Sequence, residues 1–290
     1  MKNPLLELLI LLLIVMASAI VGNGIGLGLA MANGLDLQTL LNGLNENTPL
    51  ETRNLVRLIL LFNNALTFLV PALIYTYFRY QKNWTNHLTL NRLASINDFF
   101  IAIAIMLVSI PFVQYMYSLN KLLPLPEWMR SLENDTEALL KGLLKMENSY
   151  EFLFNTIVIA LIPAIGEELI FRGVLQQKMH DFFHKNHHVA IWVSAAIFSA
   201  IHFQFEGFFP RMMLGAVLGY LFYFTQSIWV AIAAHFANNF TQLLMYQMNK
   251  DGKIATDIEN IEVPWYAAFI SLGIMLGLFY FLRKSKNNNI

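Results

Sequence analysis

Residues 162–175, IPAIGEELIFRGVL, place Glu167, Glu168 and Arg172 inside an apolar stretch long enough to enter a bilayer. Ionisable groups at that depth cost about 2.5–3.5 kcal/mol each on insertion scales, and more in some simulations. They persist only when paired or put to use. The run therefore restricts the fold to one that can shelter charge within lipid, and it marks a functional site. Two later segments supply partners: FSAIH, with Phe198 and His202, and HFANN, with His235 and Asn239.

Composition explains why lipid is the relevant solvent. Hydrophobic residues make up 57% of the chain and charged residues only 13%. Soluble domains carry about 25% charged residues, so too few are present here to clothe a water-facing surface. The expected fold is all-α: a polytopic transmembrane helical bundle of about eight spanning helices with a central polar cavity, in a single integral membrane domain over residues 1–290. A formal net charge of zero and the lack of a basic stripe exclude a nucleic-acid partner. The absence of cysteine excludes disulfides, thiol catalysis and cysteine metal sites. The N-terminal apolar run exceeds the ~7–15 residues of a signal-peptide core and is read as the first spanning helix.

Eight apolar segments are expected, at 4–31, 58–78, 99–119, 152–175, 189–203, 212–224, 228–246 and 265–282. Most reach the roughly 17–25 residues a span needs; the fifth and sixth are short enough for a re-entrant pair. With the N-terminus inside, the short inner connections hold Arg79, Lys82, Arg92, Lys178 and Lys185, and the tail holds Arg283, Lys284 and Lys286. Acidic residues crowd the longer outer loops around Asp36 to Glu51, Glu127 to Glu147 and Asp251 to Glu262. Both termini are thus expected in the cytoplasm, in a bacterial inner (plasma) membrane, with membrane lipids as partners. Trp192, Trp229 and Trp265 suit interfacial anchors. Residues 128–146 read as an amphipathic helix on the outer surface. Pro71, Pro111 and Pro163 should kink their helices.

The glycines of VGNGIGLGLA lack a preceding strand, so they are read as close helix packing rather than a dinucleotide loop. Gly215/Gly219 and Gly273/Gly277 repeat the small-residue spacing. The tract HDFFHKNHH reads as a solvated basic turn. Asn63 and Asn64 read as helix–helix hydrogen-bonding groups.

Helical spacing organises the polar set. Glu168 and Arg172 are four apart and share a face, where they can pair, while Glu167 is turned about 100° away from Glu168. One carboxylate is neutralised and the other is free. His235 and Asn239 share a face of the seventh segment, and Phe198 and His202 a face of the fifth. Counted from Lys178, His188 and Gln226, Glu167, His202, His235 and Asn239 lie at depths of ~16, 21, 14 and 20 Å at ~1.5 Å per residue. Three distant segments thus bring their polar groups to one slab. Read singly, Glu168–Arg172 is a structural ion pair, His202 a packing residue, and His235 with Asn239 a helix–helix contact. Their agreement in depth favours a joint site.

A carboxylate and a histidine flanking one water can deprotonate it, unaided or with a bound metal. A second histidine with an amide offers donors to an oxyanion. This is hydrolase chemistry without a covalent nucleophile, directed at an acyl carbon.

The ordered motifs Glu-Glu-x-x-x-Arg (Glu167, Glu168, Arg172), Phe-x-x-x-His (Phe198, His202) and His-x-x-x-Asn (His235, Asn239) resemble those of the CPBP family. That family comprises CAAX proteases and bacteriocin-processing or immunity proteins and includes the Ras-converting CAAX endopeptidase. The resemblance covers a core at about 151–246. It implies an intramembrane endopeptidase in which Glu167 and His202 activate water while His235 and Asn239 stabilise the oxyanion. The implied partner is a peptide or protein substrate, lipidated for part of the family. A divalent metal such as Zn²⁺, if bound, would take Glu167, His202 and His235 with an open water position. A peptide-processing or immunity protease is the alternative within the fold, and a non-catalytic scaffold or transporter the alternative outside it. A transporter is expected to show inverted repeats, and none is visible.

Overall fold

The computed structural model describes residues 3–45, 47–250 and 262–287, and the side chains of these up to Lys284. Within them the chain is helical and contains no strand. The helices are α1 (Pro4–Ala32), α2 (Leu37–Asn42), α3 (Leu50–Asn64), α4 (Val70–Tyr80), α5 (Trp84–His87), α6 (Ile96–Asn120) and α7 (Glu127–Leu144). They continue as α8 (Ser149–Asn155), α9 (Ile162–Ile170), α10 (Gln176–Phe182), α11 (His187–Ala200), α12 (Phe208–Thr225), α13 (Ile228–Lys250) and α14 (Trp265–Asn287). Parts of the expected acidic outer loops, Glu46 and 251–261, lie outside the described residues, as does the side chain of Lys286.

Six helices among the described residues are long and apolar enough to span a membrane: Pro4–Ala32, Leu50–His87, Ile96–Asn120, Ser149–Phe182, Phe208–Thr225 and Trp265–Lys284. This is an integral membrane bundle. The expected eight segments all form helices, but α11 is short and the polar residues of α13 keep it below the apolar threshold. Burial sorts the spans into layers. The most apolar windows of α1 and α14 are 17% and 22% buried, against 56% for the α8–α10 span and 50% for α12. The outer helices turn side chains such as Leu13, Ile20, Ile270 and Phe281 outward, where hydrocarbon suits them.

Local chemistry starts these helices. Ser95 and Asp98 form a reciprocal capping box at α6, and Asn148 and Asn186 cap α8 and α11 through side-chain oxygens. Two prolines reshape their spans. A π-helical turn at Ala65–Leu69 precedes Pro71, and another at Thr156–Leu161 precedes Pro163. Proline has no N–H to donate to the carbonyl four residues back, and the wider turn absorbs the mismatch. Pro111 sits inside a continuous α6.

Glycine use is more selective than the sequence spacing implies. A Cβ on Gly22 or Gly26 would meet Leu66 or Ile59 at 3.3 or 3.0 Å, whereas Gly24, Gly28, Gly273 and Gly277 face open space. On α12 the close approach is used twice. Arg172 Nη2 donates to the Gly215 carbonyl at 2.9 Å and Gln176 Nε2 to the Gly219 carbonyl at 3.1 Å. Added Cβ atoms there would meet Phe198 Cδ1 at 3.2 Å and Gln176 Oε1 at 2.8 Å. Arg172 and Gln176 thus tie the central span to α12, one turn apart.

Two buried charge clusters escaped the sequence reading. Glu151 Oε1 accepts from Arg53 Nε and Nη2 and from Arg57 Nη1 at 3.1, 2.8 and 2.8 Å. Arg57 also donates to Asn155 and to the Leu143 and Lys145 carbonyls, fastening the α7–α8 turn onto α3. Both guanidinium groups and the carboxylate are fully buried. The signal was present in the i,i+4 pairs Arg53/Arg57 and Glu151/Asn155: Arg53, Arg57 and Glu151 lie just outside the expected span boundaries and Asn155 just inside. Removing one partner of a buried pair costs on the order of 3–5 kcal/mol. Glu151→Ala is therefore expected to lower the thermal midpoint in detergent sharply, and an unchanged midpoint would show that the cluster adds no stability.

At the other end, Glu7 accepts from Tyr75 at 3.1 Å, from Arg79 at 2.7 Å and from Lys178. Lys178 was expected in a short inner connection, yet it is buried within α10 and joins α1 to the central span. Asn63 Nδ2 donates to Asn23 Oδ1 at 2.7 Å, a helix–helix contact as expected. Trp229 Nε1 donates to the Leu90 carbonyl at 2.9 Å, so this ring's polar edge holds a loop. The turn after α10 leads into His187 and His188, which lie against Tyr223 and Tyr220 of α12.

Candidate active site

α9 carries Glu167 and Glu168, and the π-turn that follows carries Arg172. Arg172 Nη1 donates to Glu168 Oε1 at 2.7 Å, and Arg172 Cζ lies 5.1 Å from the centre of the Phe198 ring. The same Glu168 oxygen lies 2.8 Å from His235 Nδ1 on α13. Arginine cannot lose its proton in practice and Glu168 is its partner, so the carboxylate accepts and His235 Nδ1–H donates. Glu168 is thereby committed to two helices. Its other oxygen, Oε2, is buried without a hydrogen-bond partner among the described residues.

Glu167 has a different environment. Its carboxylate makes no hydrogen bond among the described residues, and its charged contact is His235 Nε2 at 3.9 Å. That spacing is too long for a direct bond and leaves the carboxylate free to engage another group. Its side chain keeps 7% exposure, so the carboxylate is not wholly sealed.

α11 ends at Ala200, so His202 sits in the turn beyond it rather than on the helix expected from the sequence. His202 Nδ1 lies 2.7 Å from the Phe198 carbonyl. A carbonyl only accepts, so Nδ1 carries the proton and the neutral ring presents Nε2 as an acceptor. Phe198 is the spacer of the group. Its ring packs edge-on against His202, His235 and Phe171, at 5.0, 6.1 and 5.1 Å between centroids.

Asn239 lies one turn beyond His235, and its Nδ2 is 3.4 Å from the Ile159 carbonyl. Ile159 is four residues before Pro163, the position whose carbonyl a proline cannot partner in α-helical register. The proline in the central span and the asparagine on α13 are thus complementary. Asn238 Nδ2 donates to Asn239 Oδ1 at 3.1 Å, which fixes the amide's direction.

The structure therefore brings Glu167, Glu168, Arg172 and His235 into one contact network, with His202 joined to it through Phe198 and Asn239 joined through α13. His202 makes no hydrogen bond or ion pair to Glu167. Among the described residues, no three His, Cys, Asp or Glu side chains are grouped to hold a metal ion. Glu167, His202 and His235 do not close into a three-ligand cage in this arrangement. Sequence spacing missed the Glu168–His235 bond, because nothing within either helix indicates which faces of α9 and α13 meet.

Comparison with known proteins bears on this core. Residues 149–241 match the family model described as type II CAAX prenyl endopeptidase Rce1-like. The chain is also 29% identical over 99 residues to the uncharacterized protein YpbD of Bacillus subtilis (strain 168), a match covering 33% of this chain and 47% of that protein. It spans about half the length of this curated relative. No solved structure matches the chain. The matched interval contains every residue of the candidate site, and it supports the CPBP and CAAX-protease family that the three motifs resemble.

Proposed function

We propose, from a core at residues 149–241 of the CPBP and CAAX-protease type, that the chain is an intramembrane endopeptidase that cleaves a peptide bond with activated water. The observation that carries this reading is the division of labour between adjacent carboxylates. Glu168 is consumed by Arg172 and His235, while Glu167 beside them is buried and makes no hydrogen bond among the described residues, which leaves it free to act. A structural ion-pair network would need one carboxylate, and a second uncommitted one costs desolvation without return.

In the proposed reaction, water sits between the Glu167 carboxylate and His202 Nε2. Glu167 takes its proton as the oxygen attacks the scissile carbonyl carbon. The charge that develops on the carbonyl oxygen is met by Asn239 Nδ2 and by His235 Nε2–H. Because His235 Nδ1–H already donates to Glu168, donation from Nε2 requires the ring to carry both protons. Collapse of the tetrahedral species breaks the C–N bond, and the proton held by Glu167 passes to the leaving amine. Arg172 positions Glu168, and Glu168 positions His235. The substrate is a peptide or protein segment able to reach this depth, prenylated in the manner that the matched family's description states.

The test is cleavage by the purified chain in detergent or liposomes. Fluorogenic peptides with and without a farnesylated cysteine would be compared, each with and without a chelator. Cleavage of at least one set is expected, with chelator lowering the rate only if a cation completes the site. No cleavage of any peptide at any chelator or added-zinc condition would overturn the reading.

A further inference from the structure

His202 stands on irregular backbone, and a residue from a different span holds that backbone in place. α11 stops at Ala200 and α12 starts at Phe208, so His202 belongs to the connection at 201–207. Within it Phe203 has φ +53°, in the left-handed region that a bulky residue rarely adopts. Such a conformation costs energy and persists only where its surroundings enforce it. The Phe203 residue is 61% exposed, so packing around its ring does not supply that hold. Hydrogen bonds to the connection supply it.

Asn120, the last residue of α6, makes two of these bonds. Its Nδ2 donates to the Phe205 carbonyl at 2.7 Å, and its Oδ1 accepts from the Phe209 N–H at 3.3 Å. One amide thus clasps the end of the connection to the first turn of α12. Asn120 is 4% exposed, so water offers its amide little alternative. Ser199 Oγ donates to the Phe208 carbonyl at 2.6 Å, and Glu133 of α7 accepts from the Glu206 N–H at 2.8 Å. At the near end the His202 ring is aimed by its bond to the Phe198 carbonyl. A shift of the connection against α11 would break that bond and turn Nε2 away. The clasp is not needed to join α6 to α12, because Ile105 and Met106 already share an apolar cluster with Val217 and Leu221.

We propose that Asn120 is a positioning residue for His202: by clasping 205 to 209 it fixes the turn that aims Nε2 at the water beside Glu167. This rests on the hydrolase reading above. Asn120 lies outside the matched interval 149–241, so the core draws on α6 for the geometry of its site.

The experiment compares the full chain with Asn120→Ala, Asn120→Asp and, as a control for loss of an interhelical amide, Asn23→Ala. Asn120→Ala is expected to lower kcat about 10–100-fold with KM within about twofold, the scale on which a catalytic group misplaced by roughly 1 Å acts. Asn23→Ala should keep the wild-type kcat. Asn120→Asp keeps the acceptor for Phe209 and loses the donor to Phe205. Its protonated acid regains that donor, so its kcat relative to wild type should rise as pH is lowered. Nitrogen NMR of isotope-labelled histidine, with the His202 signal assigned by its absence from His202→Gln, reads the ring without turnover. Wild type should show a single tautomer protonated at Nδ1, and Asn120→Ala should show both. Wild-type kcat in Asn120→Ala overturns the proposal. So does an unchanged His202 signal, or an equal loss of kcat in Asn23→Ala, either of which would make the amide a structural tie only. If Asn120→Ala does not fold, the pH dependence and ring signal of Asn120→Asp decide the same question. If wild type cleaves no peptide, the hydrolase reading falls, and the His202 signal still decides whether Asn120 holds the ring.

Discussion

Glu167→Gln is expected to abolish turnover, by about 10²–10⁴-fold for loss of a general base, while the folded protein survives intact. The structure explains both halves of that expectation. Glu167 makes no hydrogen bond among the described residues and meets His235 Nε2 only at 3.9 Å, so an isosteric amide breaks no established bond. A neutral amide is also cheaper to bury than a carboxylate, so the thermal midpoint should hold or rise. Turnover on a cleaved peptide and the midpoint in detergent would be measured on one preparation. Persistent hydrolysis by the variant would show that the base lies elsewhere. Loss of folded protein would show that Glu167 has a structural partner.

Arg172→Ala should do the reverse and strike the fold first. The side chain is 2% exposed; it pairs with the fully buried Glu168, donates to the Gly215 carbonyl and lies over the Phe198 ring. Breaking a buried ion pair by removing one partner costs on the order of 3–5 kcal/mol, a large share of the stability of an ordinary fold. Glu168 would keep only His235, and the tie between the central span and α12 would be lost. A clear fall in monodisperse yield and in thermal midpoint is expected. Glu168→Gln should lose less, because its amide oxygen can accept from both Arg172 and His235. The unpartnered Oε2 position leaves space where the new amide nitrogen would lie, at the cost of one unsatisfied donor. Equal yields for wild type and Arg172→Ala would mean the pair contributes no net stability.

The membrane class and the candidate residues were legible in the sequence for one reason. Apolar length and i,i+4 spacing are properties of a single helix, and a helix is specified by its own residues. The Glu168–Arg172 pair follows from that rule. The six spans follow from apolar composition, and two of the three π-turns among the described residues lie just ahead of prolines. The same rule would have exposed Arg53/Arg57, and Glu151 beside Asn155, had the boundaries at 58 and 152 been drawn a turn or two earlier. Lys178 misled, because a lysine near a helix end reads as an interface marker unless a distant carboxylate, here Glu7, is known to face it.

Tertiary structure decided what depends on how helices are rotated and shifted against one another. That His235 hydrogen-bonds Glu168 rather than Glu167, and that Asn239 meets the carbonyl four residues before Pro163, are relations between elements. A change of about 100° in the facing of α13, one residue of helix, would exchange these partners while leaving every sequence periodicity unchanged. The sequence determined which polar groups its apolar helices carry. Packing at Gly215 and Gly219, and the buried hydrogen bonds it permits, decided which of them is held and which is free.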